Sequence, residues 1–173
     1  MAEAPIKITI TLPSETVKKM ENMAKLPDEL SKAVVRGMDS GVQQLVKRIQ
    51  QRRLTGTGPF PVSDHRLGVR SGVLIGSVAA TPAAIRGDTV SASITASATH
   101  KDFPYALAHE YGATVTARNA PFLVFKIGDR LIRTKSVIIP QRAPFRTEIQ
   151  SPESAKLVSA EIGAEIEKAW AKL

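Results

Sequence analysis

The chain has 173 residues, about the length of one domain at ~100–200 residues each, and 43% hydrophobic against 23% charged residues argue against a wholly disordered chain. Lys and Arg outnumber Asp and Glu by a net +8, and the absence of Cys excludes disulfides, thiolate metal ligands and a cysteine nucleophile and fits a reducing compartment. No apolar run reaches the ~20 residues that cross a bilayer, and aromatics make up only 5%, with one Trp, so stacking platforms for single-stranded nucleic acid are scarce.

Ile6, Ile8, Ile10 and Leu12 alternate with Lys7, Thr9 and Thr11, the period-two pattern of a half-buried strand rather than a secretory signal. Pro13 stops it, and Ser14 can cap a short helix carrying Val17, Met20 and Ala24. Pro27-Asp28-Glu29 starts a second helix, with two acids at the positive end of its dipole. Leu30, Val34, Met38, Val42, Leu45 and Ile49 follow at spacings of three and four. This helix should run for about 26 residues, ~39 Å, and end in Lys47, Arg48, Arg52 and Arg53. Gly37 and Gly41 each cost about 1 kcal/mol in a helix interior, which points to a bend or a close helix contact there.

Residues 54–69, rich in Gly and Pro, read as a long mobile loop within a single domain spanning 1–173. A short helical turn should follow over 70–78. Residues 79–98 read as a β-hairpin turning at Arg86-Gly87-Asp88, whose second arm alternates Val90, Ala92, Ile94 and Ala96 with polar residues. Residues 103–112 read as a short helix started by Asp102 and Pro104 and stopped by a left-handed Gly112. A second hairpin should run through Phe122, Val124 and Ile127, turn at Gly128-Asp129-Arg130, and return through Leu131, Ile132, Val137 and Ile139. Pro140 and Pro144 end it. The tail from Pro152 is a last helix with Leu157, Val158, Ile162, Ile166, Ala169 and Trp170 on one face. The expected class is α+β: a mostly antiparallel sheet built from hairpins, packed against the long N-terminal-half helix and the C-terminal helix.

The positive charge is unevenly spread. Residues 47–70 carry six basic side chains against Asp64, and residues 118–146 carry seven against Asp129. Residues 147–173 hold three Lys against five Glu. Two basic zones of this kind meet phosphates, meet an acidic subunit, or simply hydrate the surface.

Enzyme chemistry finds little support. His65, His100 and His109 lack metal-ligand spacing. Val-Arg-Ser-Gly-Val around Ser71 lacks the glycine two residues before the Ser that a nucleophile turn needs. Gly56-Thr57-Gly58 is followed by Pro instead of a phosphate-binding Lys. The reading is of a protein without catalytic, cofactor or metal site.

Three ordered segments carry a resemblance. Arg70-Ser71-Gly72-Val73-Leu74-Ile75-Gly76-Ser77-Val78, Tyr105-Ala106-Leu107-Ala108-His109-Glu110-Tyr111-Gly112 and Ile139-Pro140-Gln141-Arg142-Ala143-Pro144-Phe145 together resemble the tail-completion and head–tail joining (neck) proteins of lambdoid siphophages and the virion morphogenesis proteins of Mu-like phages. The resemblance covers roughly residues 6–150. Ala143 is an extra residue between Arg142 and Pro144, where that family runs Arg-Pro-Phe. The resemblance implies a non-enzymatic virion component, made in the bacterial cytoplasm, that forms a homo-oligomeric ring at the neck or tail end. Its partners would be its own copies and other neck, portal or tail proteins, with non-specific double-stranded DNA in the lumen and no membrane. The expected interface or DNA-facing residues are Arg118, Arg130, Arg133, Lys135, Arg142 and Arg146, with the 54–69 loop and the Gly128-Asp129-Arg130 tip. The competing reading is a basic nucleic-acid-binding protein acting as a monomer or dimer.

Overall fold

The computed structural model describes residues 28–56, 66–69, 71–87, 89–99, 103–127 and 129–171, together with the backbone course of 6–10. The expected short helix after Ser14 and the middle of the 54–69 loop lie outside the described residues.

The strongest periodicity yields the longest helix, α1 (Asp28–Arg53), with acids in its first turn and Arg52 and Arg53 in its last. Ten of its residues are buried, from Leu30 to Ile49, on more than one face, so it lies at the centre of the fold. One side packs on the sheet, the other on the C-terminal helix α5 (Pro152–Trp170). Between them come α2 (Val73–Gly76), β2 (Val78–Arg86), β3 (Thr89–Ala96), α3 (Tyr105–Tyr111), β4 (Ala113–Thr116), β5 (Leu123–Ile127), β6 (Arg130–Thr134), β7 (Ser136–Ile139) and α4 (Pro144–Ile149). β1 (Ile6–Ile10) opens the chain.

The fold is α+β, and every paired strand in it is antiparallel. The strands divide into a three-stranded sheet, β1-β3-β2, and two two-stranded ribbons, β4-β7 and β5-β6. Val90, Ala92, Ile94 and Ala96 of central strand β3 face inward onto Val34, Met38, Val42, Leu45 and Ile49 of α1. Phe145, Val158 and Ile162 complete this core. In β2, Pro82 falls where the register jumps between Thr81 and Ala84, a bulge on an edge strand. The Ala83 N–H donates to the Asp39 carboxylate of α1, which ties the bulge to the central helix.

The two glycines of α1 mark a close helix crossing. A Cβ on Gly37 would stand 2.5 Å from the Ile162 Cα, and one on Gly41 would stand 2.9 Å from the Val158 Cα. Leu30 and Ala33 meet Ala169 further along the same seam. Arg36 pairs with Glu165 at 3.2 Å, and the Ser40 hydroxyl donates to Glu161 at 2.6 Å. The α5 start is set locally: Pro152 takes the first helical position, and Ser151 Oγ accepts from the Ser154 N–H at 3.2 Å.

The second hairpin differs from its expected pairing. The chain leaves through β4 and β5 and returns through β6 and β7. Val137 and Ile139 are on the return path but pair with Val115 and Ala113 of β4, a strand absent from the sequence reading. Only Leu131 and Ile132 return against β5. The result is a two-part arm, with β4-β7 at its base and β5-β6 beyond. Pro144 does more than end the sheet: it starts α4, a helix too short to show a period. Gly112 has φ 78 and ψ 156, so it is not a left-handed helix stop. It is a positive-φ extended residue beside Gln141, where a Cβ would lie 3.2 Å from that backbone nitrogen. The first helical cap of α3 is Pro104, without a side-chain bond, and Asp102 lies outside the described residues. Trp170 is 66% exposed and does not share the buried face of α5.

Gly37→Ala should destabilise the protein by about 1–3 kcal/mol, because the new methyl meets backbone that cannot step aside. Gly163→Ala, in α5 with open space around it, should instead stabilise by about 0.5–1 kcal/mol. Urea midpoints of the two variants check the opposite signs.

Candidate functional site

The three motif segments, far apart in sequence, meet around one cavity of about 630 Å³. Ser71, Gly72 and Leu74 come from the first, Tyr105 and His109 from the second, and Pro140 and Arg142 from the third. Leu54 and 67–69 supply a further wall, and Ile127 of β5 closes one side.

Each wall has a local cause. The 54–69 loop is pinched at its ends: Gly56 N–H donates to Leu67 O at 2.9 Å, and Leu67 N–H donates to Arg53 O at 2.7 Å. Gly72, at φ 74, admits the turn into α2, and Gln50 of α1 donates to Ile75 O at 3.0 Å. The Ser77 hydroxyl donates to Leu74 O at 2.9 Å and closes that turn. Ser71 is therefore an exposed turn residue; Arg70 lies outside the described residues.

The second motif holds the third. The His109 carbonyl accepts from the N–H groups of Arg142 and Ala143, at 2.9 and 3.1 Å. The neighbouring Glu110 carboxylate, buried, accepts from Phe145 and Arg146 N–H, both at 3.1 Å. These are the unpaired first donors of α4, so Glu110 caps that helix from another element. The clamp sets Ala143 at φ 44 and ψ 48, the one positive-φ residue other than glycine among the described residues. The extra residue of the third motif is thus the left-handed link into α4. Burial raises the Glu110 pKa, against the lowering effect of those two backbone bonds and of Arg146. Phe145 and Ala106 are buried in the core, Tyr105 is half-buried, and Tyr111 is exposed. Arg146 lies over the Tyr111 ring at 5.1 Å and 3.7 Å from Glu110.

His109 does not act through its ring in this clamp. Its Nδ1 is buried without a hydrogen-bond partner among the described residues. Burial lowers its pKa, and the Arg142 charge lowers it further, so the imidazole is neutral near pH 7.

A second brace was invisible in the sequence. Glu148 of α4 is 0% exposed and receives Arg53 Nε at 2.7 Å and Arg48 Nε at 3.0 Å, with Arg52 at 3.7 Å. Cations in the last turns of a helix suit the negative end of its dipole, yet here three of them surround one carboxylate. Burial alone would raise the Glu148 pKa, but the bonds and charges of Arg53 and Arg48 outweigh it and hold the carboxyl below its usual range.

The six candidate basic residues therefore separate. Arg142 lines the cavity and Arg146 turns to Glu110. Arg118, Arg130, Arg133 and Lys135 lie exposed along the arm. There Arg133 stacks over Phe122 at 4.2 Å, and Val124 and Leu131 are 60% and 67% exposed. By register, Val124 and Leu131 share one face of the β5-β6 ribbon with Lys126 and Arg133. The tip residue Gly128 lies outside the described residues.

Glu148→Gln should cost about 1–3 kcal/mol, since the amide keeps one acceptor oxygen but turns an NH2 donor toward the other guanidinium and removes the charge that both face. The native carboxyl titrates below the unfolded one, so its contribution is complete above the usual carboxylate range and drains as pH falls through the lowered native value. The variant's urea midpoint should consequently fall less on acidification than that of the parent. Ala143→Gly should stabilise by about 1 kcal/mol by relieving the left-handed backbone, again read from the midpoint.

No protein family, curated protein or solved structure matches the chain.

Proposed function

We propose that the protein is a structural component of a tailed-phage virion, a head–tail connector or tail-completion subunit that assembles into a ring through which DNA passes. The observation that carries the reading is the two-part arm. Its outer ribbon packs extensively on no other described element, and it presents apolar and cationic side chains together. A two-stranded ribbon is marginal by itself and gains stability when a partner covers it. A ring also requires two unlike faces on each subunit. The basic arm and the Glu-bearing helix α5 provide such a pair. The ordered motif triplet supports the same reading, and its convergence on one cavity gives the motifs a shared structural task.

Arg130→Glu with Arg133→Glu should leave the thermal melt nearly unchanged, because both side chains are exposed, and should reduce infectious particles at least tenfold in a complementation assay. Particle yield equal to the parent's would remove the arm from the interface.

The exposed cations on the arm also favour a second reading, direct binding of duplex DNA by a monomer or dimer. That reading expects an affinity falling with salt at a log–log slope of about −0.9 per phosphate contacted. With Arg118, Arg130, Arg133 and Lys135 as contacts, the slope should approach about −3 to −4, and the double variant should lower its magnitude by about 2. Absence of binding at low salt, measured by fluorescence anisotropy, would dismiss it.

A further inference from the structure

Two of the apolar features exposed among the described residues complement each other in shape, one concave and one convex. The concave one is the cavity between α2, α3 and the arm, whose wall includes Leu74, Ile75, Tyr105 and the half-exposed Ile127. Its volume suits a bulky side chain. The convex one is Trp170, the single Trp of the chain, in the last turn of α5. An exposed Trp is costly to hydrate, and Trp leads the residue types that anchor protein interfaces by filling a pocket on the partner.

Their surroundings complement each other. Among the described residues no acidic side chain lines the cavity; Arg142 does, Arg66 adjoins its Leu67 wall, and Arg130 is the register partner of Ile127. Around Trp170 stand exposed carboxylates: Glu167 on α5, and Asp28 and Glu29, which the Leu30–Ala33–Ala169 contact brings to that end of the molecule. Lys32 and Lys168 share this end, each paired with a Glu. The polar atoms match as well. The indole N–H is a donor only, and the neutral His109 imidazole offers an acceptor nitrogen. A guanidinium such as that of Arg142 favours an aromatic face.

We propose that this cavity receives the Trp170 side chain of a second copy of the chain, which would make the Trp170 end of α5 and the motif-lined cavity the two unlike faces of one repeating contact. The contact rests on the ring reading above and specifies it. Donor and receptor lie on different parts of each subunit, so the contact is heterologous and propagates until a ring closes. It also gives the three motifs one purpose, to shape the receptor.

Because Trp170 is the single Trp, its fluorescence reports the contact directly. As the parent protein is concentrated from low micromolar to near-millimolar, the emission maximum should move to shorter wavelength in step with the mass from light scattering. Trp170→Ala and Ile127→Glu change exposed positions and should keep the parent's circular dichroism and melting temperature. Each alone should self-associate at least about tenfold more weakly, the loss of one interface anchor. Mixed together they should form a dimer that grows no further, since one supplies an intact receptor and the other an intact donor, and the Trp emission should shift only in the mixture. Assemblies that form while the emission stays that of a hydrated indole would overturn this contact and leave the ring reading standing on another surface. An unshifted emission with no assembly at any concentration, or a mixture that remains monomeric where the parent associates, would overturn it equally. The ring reading itself would then stand or fall on the particle yield of the arm variants.

Discussion

The crossing of α1 and α5 is the constraint on which the other elements depend. Backbone approaches backbone where Gly37 faces Ile162 and Gly41 faces Val158, and no side chain of any size fits between them. That closeness lets α1 bury a second face while its first covers β3. A helix with two glycines in its interior is a poor helix in isolation. Here tertiary burial offsets the propensity cost, since each large apolar side chain removed from water contributes about 1.5–3 kcal/mol.

From that centre, two buried carboxylates carry order outward. Glu148 fixes α4 to the basic end of α1, and Glu110 fixes the start of α4 to α3. Their electrostatics are opposite in sign. Glu148 is surrounded by full charges and stays ionised easily, whereas Glu110 relies mainly on backbone N–H groups and is pushed toward protonation by burial. Between them lies the left-handed Ala143, a strained residue that persists because bonds on both sides determine its position. The cavity walls at Pro140 and Arg142 are placed by this same chain of contacts.

The functional reading follows from what the core leaves outside. The central strand β3 and helix α1 are buried, while the arm and the end of α5 keep apolar groups in water beside charges of opposite sign. A chain with those two surfaces has a physical reason to meet its own copies. The motif residues fold into turns, caps and the wall of one cavity.

Long-period patterns were legible without the structure. The extent of α1, the register-bearing alternation in β3 and the turn at Gly87 each depend on neighbours within a few residues, so local sequence determined them. Two interior glycines at Gly37 and Gly41 equally pointed to a bend or a close helix contact, and the structure shows the contact. Other features depend on groups distant in the chain. Nothing near Val137 indicates that it pairs with Val115 and not with Val124, because ribbons of four or five residues have several equivalent registers. Nothing near Glu148 announces three arginines about 100 positions earlier. Trp170 matches the apolar spacing of α5, yet it is exposed while its neighbour Ala169 takes the place against Leu30 and Ala33 of α1. The sequence by itself determined the longer elements, the class and the order of the motifs, through local periodicity and turn chemistry. Only the tertiary structure decided which strands pair, where the buried charges find partners and how three separate motifs enclose one cavity, because those outcomes are set by packing between segments that local sequence cannot see.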